Sequence, residues 1–124
     1  PIPSSIISKD SVFSDPIYFQ SGWIAKNKRY LNIYLNKLTG EVNGTESNQY
    51  FGIIEDSVRT STSGIRCIYL RLSHHQNNVP EYYTSRVYIS VPLTYYRRIL
   101  SDGDSIFLRT NTYSAGWVEK GYRY

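Results

Sequence analysis

Few side chains in this sequence are of the types that make or break bonds. His74 and His75 form the only histidine pair, in a polar stretch that ends at Pro80. Adjacent residues rarely bind one metal together, and no cysteine or acidic cluster lies close enough in sequence to complete a site. A histidine general base with Glu81 as its partner, and an arginine to clamp phosphate, would suit an RNase-like reaction. Nothing in the spacing requires it. Cys67 falls inside a strand-like segment and reads as a packed thiol. There is no Gly-x-Ser-x-Gly elbow, no phosphate-binding loop and no dinucleotide glycine fingerprint. The expectation is therefore a chain that is not an enzyme, with no catalytic residue, metal site or cofactor.

What does recur is tyrosine with arginine. The 124 residues include 13 Tyr against 4 Phe and 2 Trp, so the aromatic surplus carries hydroxyls. Tyrosine favours strands, interfaces and half-wet surfaces. The net charge of +4 is unevenly placed. Residues 1–62 hold six Lys or Arg against six acids, and residues 63–124 hold eight against four. Seven of those eight are Arg, the cation suited to bidentate anion contact and to stacking on rings. A basic half points to an anionic partner.

The elements that must position these residues are short strands. Residues 1–22 contain Pro1, Pro3 and Pro16 and read as an irregular N-terminal arm or edge strand. Residues 23–124 read as a single β-rich domain. Leu31, Ile33 and Leu35 alternate with Tyr30, Asn32, Tyr34 and Asn36. Thr39-Gly40 and Asn43-Gly44 mark turns, and 49–55 is a second strand with Gly52 as a bulge. The spacing gives further strands over 65–72, 85–91, 105–110 and 113–118, with polar loops over 57–64 and 74–80. Pro92 with Leu93, Tyr96 and Leu100 at helical spacing predicts one short helix near 92–100. The fold class is all-β, as a small antiparallel barrel, sandwich or curved sheet.

Turning the aliphatic face of each strand inward leaves a repeated outward composition. It comprises Tyr30, Tyr34, Tyr69, Arg71, Arg86, Tyr88, Phe107 and Arg109, with Arg97, Arg98 and Arg123 extending the track. Taken as one face, this would suit single-stranded nucleic acid, DNA or RNA. Rings stack on bases at ~1–3 kcal/mol each, and guanidinium groups neutralise phosphates. The expected function is non-catalytic binding of single-stranded nucleic acid, by a homodimer or higher homo-oligomer. The alternative is a structural or assembly protein, such as a virion or accessory subunit, using the same face for self-association or a protein partner.

One segment resembles a known family. Arg86-Val87-Tyr88-Ile89-Ser90-Val91-Pro92, Arg97-Arg98-Ile99-Leu100 and Asp102-Gly103-Asp104-Ser105-Ile106 are similar to the swapped-hairpin AbrB-like DNA-binding regulators. That resemblance implies a dimer holding duplex DNA through Arg86, Arg97 or Arg98. It covers only 86–106, departs from the family in the long strands on either side, and is not adopted. The single Cys67 offers no internal disulfide, and no secretory signal or long apolar run is evident. The expected setting is cytoplasmic or virion-associated, without a membrane.

Overall fold

The computed structural model describes residues 13–42, 45–46 and 48–124. Nine strands follow in chain order: β1 (Tyr18–Ile24), β2 (Tyr30–Thr39), β3 (Glu41–Val42), β4 (Thr45–Glu46), β5 (Tyr50–Thr60), β6 (Arg66–His75), β7 (Tyr83–Pro92), β8 (Ser105–Thr112) and β9 (Gly116–Arg123). They form a three-stranded sheet in the order β1-β2-β7, a four-stranded sheet in the order β5-β6-β8-β9, and the small hairpin β3-β4.

The two large sheets face each other as a β-sandwich, and alternation explains why. Leu31, Ile33 and Leu35 of β2 are fully buried and share one cluster with Ile68, Leu70 and Leu72 of β6 and with Ile106 and Leu108 of β8. Each such side chain contributes about 1.5–3 kcal/mol by leaving water. Each sheet has only one apolar face, so stacking the two faces buries both.

Most neighbours are antiparallel, but β6 and β8 run parallel, with Tyr69 opposite Phe107 and Arg71 opposite Arg109. A parallel pair needs a long crossover. Here the crossover is β7, which pairs with β2 in the other sheet. Beyond Arg71 and Arg109 the two strands part, and residues 13–17 fill the fork. The His74 N–H donates to the Phe13 carbonyl, the Asp15 N–H to the His74 carbonyl, and the Ile17 N–H to the Asn111 carbonyl. The chain then enters β1 as an edge strand of the three-stranded sheet.

Several sequence expectations shift in detail. The strand expected over 49–55 runs to Thr60, and its irregularity falls between Glu55 and Ser57 instead of at Gly52. The Asn43-Gly44 turn lies outside the described residues. The helix expected near 92–100 is one 3-10 turn at Thr94–Tyr96. Its apolar spacing is real, since Leu93, Tyr96 and Leu100 are all buried. Pro92 is still paired to Tyr30 as the end of β7, so the turn begins only after it. The Tyr96 hydroxyl donates to Glu55 Oε1 at 2.7 Å, tying the segment after β7 to the opposite sheet. Asp104 closes the turn, accepting the Arg66 N–H at 3.0 Å on Oδ1 and the Ser101 N–H at 2.8 Å on Oδ2. Among the described residues no helix is long and apolar enough to cross a membrane.

Candidate functional site

The outward-facing residues named from the sequence do not share one surface. Each strand alternates as expected, but β2 and β7 belong to one sheet and β6 and β8 to the other. Because the aliphatic faces meet, the polar faces point in opposite directions. The single Tyr/Arg platform is therefore two separate faces on opposite sides of the sandwich.

The outer face of the three-stranded sheet carries Tyr30, Tyr34, Arg86 and Tyr88. Tyr34 lies directly across from Tyr88, and their rings stack at 4.8 Å. The Arg86 guanidinium sits 5.3 Å from the Tyr34 ring. Trp23 of β1 falls opposite Asn32 and joins this face, a residue the sequence reading assigned to no surface. Tyr88 is 63% exposed, Trp23 45% and Tyr30 42%. Ser90 donates to Asn32 Oδ1 at 2.8 Å between them. The face is thus a row of open rings set among small polar groups. No hydrogen bond to the Tyr30 or Tyr88 hydroxyl occurs among the described residues.

The outer face of the four-stranded sheet carries Tyr69, Arg71, Phe107 and Arg109. Tyr69 stacks on Phe107 at 5.0 Å, and Arg59 of β5 covers the other side of Tyr69 at 5.2 Å. Arg109 rests over Trp117 of β9 at 5.4 Å. Arg71 Nη2 donates to Asp56 Oδ1 at 3.0 Å. Gly121 lies opposite Phe107, and a Cβ there would meet the Phe107 ring at 2.9 Å, so a bare backbone lets the ring lie flat. Arg59, Tyr69, Arg71 and Arg109, with Asp56, Ser57 and Glu119, line a hollow of about 330 Å³.

Arg97 and Arg98 are exposed in the turn after β7, apart from both clusters. Arg123, exposed on β9 opposite Ser105, lies at one end of the same outer face as Phe107 and Arg109. A larger hollow of about 520 Å³ lies between Asp15, the 76–81 loop and Tyr113. The Tyr113 hydroxyl donates to Glu81 at its rim. Burial and then this carboxylate hold the Tyr113 hydroxyl above its usual range, so it stays protonated.

His74 is a buried strand residue and not part of an open loop. It is 1% exposed at the end of β6, with its ring stacked on Phe51 at 4.5 Å. Nδ1 lies 3.1 Å from the Asp15 carbonyl, so it carries the proton, and Nε2 is buried without a partner among the described residues. His75 stacks on Phe13 at 3.8 Å. Among the described residues no group of three or more His, Cys, Asp or Glu is placed to hold a metal ion.

With this geometry in hand, three comparisons bear on the chain. The profile of the NigD-like C-terminal beta sandwich domain matches residues 1–122. Among solved structures, a NigD-like immunity protein from Bacteroides caccae is 28% identical, with a TM-score of 0.62 over 96% of this chain and 54% of that one. A putative toxin-related protein from Parabacteroides distasonis is 21% identical, with a TM-score of 0.65 over 93% of this chain and 54% of that one. A protein of unknown function from Bacteroides vulgatus is 15% identical, with a TM-score of 0.69 over 94% and 51%. These last two likenesses speak to the fold. The chain spans about half the length of each of these structures. No curated protein matches it significantly.

The expectation of a single-stranded nucleic-acid binder, and its alternative of a virion or accessory assembly subunit, are corrected here. The domain match is to a NigD-like β-sandwich with solved neighbours from Bacteroides and Parabacteroides, which overturns the viral and nucleic-acid readings. The physical reason the inference failed is the division of the platform. The two strands of the AbrB-like segment over 86–106, β7 and β8, lie in different sheets, so that resemblance has no shared hairpin to rest on.

Proposed function

Because the chain belongs to the NigD-like C-terminal β-sandwich domain family, we propose that it is a non-catalytic recognition module of the immunity type, docking a protein partner on the outer face of its three-stranded sheet. The observation that carries this reading is the open aromatic row of Trp23, Tyr30 and Tyr88 over the stacked Tyr34. Tyr and Trp supply large contact area at low conformational cost, and Ser and Asn supply adaptable hydrogen bonds, which is the composition of paratope-like surfaces. Asn32, Ser90 and Asn36 fill that second role. The immunity assignment is supported by the Bacteroides caccae neighbour, described as a NigD-like immunity protein. Immunity proteins as a class include members of very tight protein–protein pairs.

The test is protection from antagonism. The chain is expressed in a sensitive Bacteroides strain and challenged with supernatants of competing strains. Protection is expected, and Tyr34→Ala with Tyr88→Ala should abolish it while leaving the fold intact by circular dichroism. Protection that survives the double substitution would overturn the assignment of this face. Absence of protection against every competitor would overturn the immunity reading.

A further inference from the structure

The opposite face of the sandwich holds positive groups that the recognition face does not use. We propose that the hollow on the outer face of the four-stranded sheet is a carboxylate-binding site that receives an acidic side chain of a partner polypeptide. It is lined by Arg59, Arg71, Arg109, Tyr69, Asp56 and Glu119 among others.

Three observations carry this. First, Arg71 and Arg109 sit directly across a parallel strand pair, at a spacing of about 4.8 Å between strands. Like charges placed directly opposite are unfavourable unless an anion lies between them. Asp56 meets Arg71, but Glu119, which faces Arg109 across β8 and β9, makes no ion pair with it. Second, donors are left over. The Arg59 and Arg109 guanidinium groups rest on rings and hold no hydrogen bond or ion pair among the described residues. The Arg71 Nε is buried without a partner among them. An unmet buried donor is costly, and a bound acceptor would satisfy it. Third, the shape selects the ligand. Guanidinium forks match a planar carboxylate in a bidentate geometry. Tyr69, stacked on Phe107, gives an apolar wall, and the 40% exposed Trp117 lies beside it under Arg109. A free small anion would leave those rings wet, whereas the stem and flanking backbone of an Asp or Glu in a polypeptide cover them.

The site lies on the side away from Tyr88 and stands or falls independently of the recognition face. The probe is a fluorescein-labelled hexaglutamate peptide, titrated with the whole chain by fluorescence anisotropy at low salt. Binding is expected, and Arg59→Gln and Arg109→Gln should each weaken it by about tenfold or more, as loss of a charge-assisted hydrogen bond implies. Arg109→Lys should recover only part of the loss, because it keeps the charge and loses the fork. Tyr88→Ala should bind like the parent chain. Both arginines are exposed, so melting temperatures of the Gln variants should stay close to that of the parent. No binding, or binding unmoved by the Arg59 and Arg109 substitutions, overturns the site. Displacement of the peptide by glutarate or inorganic phosphate at matched concentration overturns the polypeptide assignment in favour of a small-anion site.

Discussion

Tyr96 offers a quantitative test of how the sandwich is closed. It follows β7 in one sheet, is 1% exposed, and donates its hydroxyl to Glu55 of β5 in the other sheet at 2.7 Å. Burial first, and the Glu55 carboxylate second, hold that hydroxyl above its ordinary range, so it is a donor at neutral pH. Tyr96→Phe keeps the ring and deletes only the bond. Net hydrogen bonds to charged groups are worth about 1.5–3 kcal/mol, and the lower end applies because Glu55 is half-buried and water can replace the hydroxyl. At this chain length about 1 kcal/mol corresponds to roughly 4 °C, so the expected fall in melting temperature is about 6 °C. Tyr96→Ala also removes a buried ring, for which about 3–5 kcal/mol is expected. Thermal and urea unfolding followed by circular dichroism measure both. A Tyr96→Phe variant as stable as the parent, or as unstable as Tyr96→Ala, would refute the assignment of the bond as a clasp between sheets.

Two further outcomes follow from the structure. Burial is the largest cause acting on His74 and lowers its pKa below the usual 6.5, outweighing the opposing pull of the Asp15 carbonyl. The folded state therefore favours the neutral ring while the unfolded chain takes up a proton, so the stability His74 contributes is complete above about pH 6.5 and is lost as the pH falls. Urea midpoints should drop between about pH 7.5 and pH 5.5, and His74→Phe should flatten that part of the profile; an unchanged slope in the variant contradicts the reasoning. Gly116 opens β9 with φ at +65° and has no heavy atom within 4 Å of where a Cβ would stand. Gly116→Ala should cost about 1–2 kcal/mol through backbone conformation alone, with Gly116→Asn costing less, and an alanine variant of unaltered urea midpoint would show the turn relaxes freely.

What could be read from the sequence was local. Alternation in 30–36 and 105–110 placed Leu31, Ile33, Leu35, Ile106 and Leu108 inside and the rings outside, because side-chain direction is a property of each strand by itself. Which strands share a sheet is decided by pairing between distant residues. Nothing near Tyr88 or Phe107 announces that β7 pairs with β2 while β8 pairs with β6, so the two half-faces could not be told from one whole face. The same limit hid the parallel β6 and β8 pair and the fork filled by residues 13–17. It also hid His74, whose polar neighbours 76–78 suggest a loop although the residue ends a strand under Phe51. Trp23 was missed for another reason: it stands alone in a short strand, and only its register opposite Asn32 brings it to the tyrosines. Arg59 likewise fell in a stretch whose Ser and Thr content reads as loop, and the offset after Glu55 is what turns it onto Tyr69.

The claim that matters most is that a protein partner docks on the three-stranded sheet's outer face. A photo-crosslinking amino acid placed at Tyr88, in cells challenged by a competitor that the parent chain resists, tests it directly. The expected result is one discrete adduct with a competitor protein, absent when the same group is placed at the exposed loop residue Ser63. Equal adducts from both positions, or none from Tyr88 in cells that remain protected, would contradict it.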